Sequence, residues 1–154
     1  LLGVVCAGVL CVGVLRVVPD VLDLGGCVNA TAPAVSSVST DATRVARLFP
    51  GLGPVRAVHW QSREARPRTC PEVGPMDYFY EGVVELRPEA VDRSYRWMAS
   101  TPDLMPALRQ YAPPNPAWQQ SHEFHDAVAG AADTSSFFYV DLDSATMYFI
   151  TGTD

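Results

Sequence analysis

Two histidines three residues apart, His122 and His125, stand in the segment Ser-His-Glu-Phe-His-Asp beside the carboxylates Glu123 and Asp126. Imidazole and carboxylate are zinc-ligand types, so His122, His125 and Asp126 on one helix could serve a metal-assisted hydrolase of the cell envelope. The spacing differs from the i, i+4 pair of HExxH, and the third histidine, His59, falls in another element. The plainer expectation is two solvated histidines on a polar helix face. No metal or other cofactor is therefore assigned.

Other chemistry-bearing residues meet similar limits. Asp141-Leu142-Asp143-Ser144 opens like a calcium loop, but Thr146 and Gly152 stand where such a loop needs Gly and a bidentate Glu. These acids read as turn residues. Ser121, Ser135 and Ser136 lack a GxSxG elbow, and neither a Walker A loop nor GxGxxG occurs. Catalytic residues are consequently expected to be none. Arg63, Arg66 and Arg68, clustered in one loop, suit an anionic partner such as phosphate, lipid headgroups or an acidic peptide. Tyr78, Tyr80, Phe137 and Tyr139 on strands could instead line a cavity for a small apolar ligand such as a lipid.

The elements that would position these groups follow from periodicity. Thr40 and Asp41 open a helix with Ala42, Val45, Ala46 and Phe49 on one face, ended by Pro50-Gly51. Residues 55–60 alternate as a strand, and 62–75 read as a loop. Residues 77–86 form a longer strand, in which central Gly82 marks a bulge or close backbone contact. Pro88, early acids, late arginines and the i, i+4 pairs Glu89–Arg93 and Asp92–Arg96 predict a second helix. Five prolines break the chain between Thr101 and Trp118. Ser121 caps a third helix ending at Gly130, with Phe124, Ala127 and Val128 inward. Residues 136–152 read as a hairpin turning around Asp143-Ser144-Ala145. The expectation is an α+β domain: a mostly antiparallel four-stranded sheet packed with about three helices.

Residues 1–18 are apolar or glycine except for Arg16. As a helix they would be about 27 Å long, close to the hydrocarbon core of a bilayer. Three glycines and many valines make that helix poor in water but tolerable in lipid. The expected organisation is a transmembrane anchor or uncleaved signal over 1–18, a flexible tether over 19–39 and a globular domain over 40–154. Composition excludes other classes. Among 154 residues, 11 Arg and no Lys face 17 acids, a net charge of −6, which speaks against a nucleic-acid partner. The imbalance lies wholly in residues 100–154, where Arg109 faces seven acids. Such polarity suits an interaction module.

The stretches FPGLGPVRAVHW, TCPEVGPMDYFYEGVVEL and FFYVDLDSATMYF resemble small actinobacterial membrane-anchored or secreted proteins that carry no assigned function. That resemblance spans roughly residues 45–154 and implies location, not mechanism. Four cysteines without a CxxC pair argue against a zinc finger. Cys6 and Cys11 lie about 7.5 Å apart along one helix, beyond disulfide reach. Cys27 and Cys70 are predicted to bond if the domain faces an oxidising compartment, constraining the unfolded chain by roughly 4 kcal/mol. The reading is a single-pass membrane protein whose domain lies outside the cytoplasm. It acts without catalysis, through a protein or envelope partner.

Overall fold

The computed structural model describes residues 32–66, 77–130 and 132–152. Its centre is one antiparallel sheet in the order β1-β2-β6-β5-β4-β3. The strands are β1 (Ala57–Glu64), β2 (Tyr78–Glu85), β3 (Met98–Ala99), β4 (Trp118–Gln120), β5 (Ser136–Asp141) and β6 (Thr146–Gly152). Two α-helices accompany them, α1 (Ala42–Leu48) and α2 (His122–Val128). Among the described residues the expected four strands and three helices are thus corrected to six and two, with three short 3-10 turns besides. The anticipated transmembrane helix, residues 1–18, lies outside the described residues. Among the described residues, no helix is long and apolar enough to cross a membrane.

The missing helix is the one over residues 88–98. Only Pro88–Ala90 coils, as a 3-10 turn, and Val91 is already extended at φ −110°, ψ 104°. The Asp92 carboxylate accepts from Ser94 N and Ser94 Oγ at 2.8 and 2.7 Å. This local side-chain-to-backbone turn replaces the helical ladder. The freed chain lets Trp97 donate to Asp92 O and pack on Phe124 at 5.5 Å before Met98 enters β3. Strands β3 and β4 escape periodicity because two or three residues carry no repeat. β1 runs further than its apolar alternation suggests because Gln61 and Glu64 are buried polar residues.

Alternation gives the sheet two covered faces. On one, Val45 and Phe49 of α1 and Phe124 and Val128 of α2 meet Val58, Val84, Phe138, Met147 and Phe149. Phe49 stands edge-on to Phe138 and Phe149 at 4.9 and 5.0 Å. On the other, Leu104, Met105, Leu108 and Tyr111 of the proline-rich strap cover Val83, Tyr148 and Trp118. Part of the stretch read as a tether also lies against the sheet. Ala34, Ser36 and Ser39 exchange backbone hydrogen bonds with Glu64, Ser62 and Trp60 at 2.8–3.0 Å, covering the outer edge of β1.

Elsewhere the local signals agree with the structure in part, although Ala127, expected inward on α2, is exposed. Ser121 caps α2 and Gly130 follows it at φ 94°, while Asp41 rather than Thr40 caps α1. Gly82 is a close contact: a Cβ there would lie 2.5 Å from Phe149 Cε1 and 2.8 Å from Trp60 Cβ. Gly82→Ala is therefore expected to lower stability by about 2 kcal/mol through overpacking. Gly152→Ala, whose Cβ meets only Phe79 at 3.5 Å, should lose much less. Denaturant midpoints of the two variants check the contrast.

Candidate functional site

α2 begins one residue after β4 because Ser121 is extended and its hydroxyl accepts the Phe124 N–H at 3.3 Å. On β5, β4 pairs only with Val140 and Asp141, so residues 136–139 of β5 have, among the described residues, no strand neighbour on that side. The chain's departure into α2 leaves a groove of about 350 Å³ between β3, α2 and the open half of β5. Met98, His122, His125, Asp133, Phe137 and Phe138 are among its walls. Met98 and Phe137 are each about half exposed (49% and 51%), an unusual state for large apolar side chains placed side by side with a cavity.

Most polar groups around the groove are already engaged by the fold. Ser121 Oγ also donates to Glu123 Oε2 at 2.8 Å, and this bond, with the Glu123 backbone N–H, holds Glu123 below its ordinary range. Ser136 Oγ donates to Thr151 Oγ1 at 2.8 Å. Asp133 accepts from Ser135 N and Ser135 Oγ at 2.8 and 2.9 Å. Burial pushes the Asp133 carboxyl up, but Ser136, Ser135 and nearby His125 together hold it below the usual value. His125 Nδ1 lies 3.1 Å from Asp126 Oδ1, and its ring is 5.6 Å from Phe138. His122 shares the groove without joining that pair. Among the described residues, no three His, Cys, Asp or Glu side chains converge as a metal set.

The remaining expected site residues disperse. Arg63 is bound: its Nε donates to Glu81 Oε1 at 2.8 Å and its guanidinium lies 4.5 Å over Phe79. Arg66 follows the end of β1, while Arg68, Cys27 and Cys70 lie outside the described residues. Register puts Tyr78 and Tyr80 on one sheet face and Phe137 and Tyr139 on the other, so the four do not line one cavity. Asp141 supports the turn reading: it accepts from Ser144 N, Ser144 Oγ and Ala117 N at 3.1, 2.5 and 2.9 Å.

Sequence reasoning misses Met98 and Asp133 as groove residues and groups Phe137 with the wrong cavity neighbours, because two-residue pairings create the groove and have no periodic signature. It also misses Glu81, although a carboxylate inside the apolar run of residues 78–86 signals a buried, partnered acid. Comparison with protein-family models, curated proteins and solved structures gives no match.

Burial pushes the Asp141 carboxyl up, yet its bonds from Ser144 and Ala117 outweigh that and hold it low. A folded pKa below the unfolded one adds stability above the ordinary aspartate value near pH ~4, and that stability is lost as pH falls through the depressed value. Acid unfolding should therefore begin below about pH 4. Asp141→Ala should lose about 3 kcal/mol at neutral pH, from three vacated donors, and should flatten the acid limb of stability against pH. Urea titrations across pH measure both effects.

Proposed function

We propose that this chain is a non-catalytic contact domain of the cell envelope that receives an extended segment of a partner protein along the open half of β5. Residues 1–18 hold it in the membrane, the domain lies outside the cytoplasm, and a Cys27–Cys70 disulfide closes its N-terminal part. The observation that carries the reading is the groove: half-exposed Met98 and Phe137 beside a strand edge that, among the described residues, lacks a neighbour. An extended peptide can add backbone hydrogen bonds at such an edge while apolar side chains fill the pocket.

The non-catalytic part rests on how the polar groups are used. Ser121 and Ser136, two hydroxyl residues of the groove wall, serve a helix cap and a cross-strand bond. Among the described residues neither His122 nor His125 bonds a hydroxyl, so no base–nucleophile pair is formed. An acidic surround, with Glu123, Asp126 and Asp133 at or near the groove, favours a segment carrying basic residues beside its apolar ones.

A photo-crosslinking amino acid placed at Phe137 in the membrane-bound chain is expected to trap one defined adduct. The same probe at exposed Gln110 should not trap it. Sedimentation of the chain with membranes and protection of Cys27 and Cys70 from alkylation before reduction should accompany the adduct. Equal labelling from both positions would defeat the groove reading, and free thiols would defeat the external location.

A further inference from the structure

A second concavity of about 360 Å³ lies on the far flank of the sheet, bounded by α1 and by side chains of β1 and β2. Arg44, Arg47, Thr43, Trp60, Ser62 and Tyr80 line it, with Asp41 at its margin. Arg44 is held in a defined pose. Its guanidinium carbon is 4.6 Å from the Tyr80 ring centroid, and its Nη2 donates to the Tyr80 hydroxyl at 2.5 Å. Its Nε is buried and, among the described residues, has no hydrogen-bond partner. Among the described residues, neither Arg44 nor Arg47 forms an ion pair.

A half-buried guanidinium held against aromatic surface, with a neutral phenol and no ion-pair partner among the described residues, leaves its donors suited to an anion. Arg47, three residues on, adds a second positive charge on the same side of α1. We propose that this cup binds a phosphomonoester, either a small soluble one or the headgroup of a lipid. Two guanidiniums match a dianion better than a single carboxylate. The fork of N–H donors suits phosphate oxygens, and Arg44 is already oriented, so less freedom is lost on binding. Thr43 and Ser62 supply hydroxyls suited to further oxygens. The volume is many times the roughly 30 Å³ share of one water, which leaves room for the organic group bearing the phosphate against Trp60 and Tyr80.

Asp41 is the opposing charge. Its Oδ1 accepts the Thr43 N–H at 2.9 Å as the cap of α1, so the carboxylate is fixed beside the cup. Asn is an equally good N-cap. Asp41→Asn therefore removes repulsion without removing the helix start.

The site stands apart from the β5 groove and is tested on the full chain in detergent. Calorimetric titration with glycerol 3-phosphate should show binding in the wild type. Arg44→Gln and Arg47→Gln should each weaken it by about tenfold or more, the loss of one charge-assisted contact. Asp41→Asn should tighten it by about threefold. Thermal midpoints identify any loss in Arg44→Gln that is mere unfolding, and exposed Arg47 keeps the test valid if that happens. Dihexanoyl phosphatidic acid binding more tightly than glycerol 3-phosphate assigns a lipid headgroup; equal affinities assign a soluble phosphomonoester. Absence of binding by both probes overturns the proposal. So does binding unchanged in both arginine variants, or acetate binding as tightly as phosphate.

Discussion

A carboxylate in the middle of the sheet organises much of what surrounds it. Glu81, on β2, is only 4% exposed, and burying an ionised acid is expensive unless partners meet both oxygens. Arg63 of β1 meets Oε1 at 2.8 Å, and the Tyr148 hydroxyl of β6 donates to Oε2 at 2.5 Å. Those bonds come from both neighbouring strands, so sliding either by one residue would turn its partner to the opposite face. Burial pushes the Tyr148 phenol far up, and the Glu81 hydrogen bond and charge push it further, so it remains a donor. The same requirement explains the strap. Tyr148 lies under Leu104, Met105 and Leu108, and His59 stacks on Tyr111 at 3.7 Å and 6°. A proline-rich segment whose one regular element is the 3-10 turn Arg109–Tyr111 thereby becomes the roof of a second core.

The opposite face is governed by size. Phe149, Phe138 and Phe49 need depth, and glycine at position 82 provides it where Trp60 and Phe149 close over β2. Gly51 does the same between the turn after α1 and α2, since a Cβ there would lie 1.9 Å from Ala127 O. Each α-helix has only seven residues, so neither is stable by itself, and tertiary packing holds both. Short helices cover only part of a six-stranded sheet. The groove lies where coverage changes hands, at the step from β4 into α2.

What could be read beforehand divides along the same physical line. The β5–β6 hairpin, α2 and the contact at Gly82 are legible because their signals are local: alternation, a serine cap and a side chain that cannot be larger. The helix expected over 88–98 fails because Asp92 serves Ser94 in a turn of its own, a competition that i, i+4 charge pairs do not reveal. His122 and His125 were legible as neighbours and do share one groove, but the rest of its wall comes from residues 98 and 133–138. Only tertiary structure assembles those. Arg63 illustrates the reverse error: its charge looks available in a loop, whereas an acid on the adjacent strand already holds it.

The groove and the cup carry opposite charge, and geometry keeps them separate. Tyr80 and Trp60 of the cup stand on β2 and β1, while the groove opens beside β5, two strands beyond β2 across β6. At about 4.8 Å per strand, β1 and β5 are roughly 14 Å apart. The two sheet walls are thus separated by more than the screening length of about 8 Å at physiological ionic strength. Substitutions that far apart with no shared partner also combine nearly additively. Coupling between the two proposed sites would require deformation of the sheet or of the contact between Gly51 and α2. The Glu81 network, which ties β1, β2 and β6 into one register between the two sites, resists deformation of the sheet.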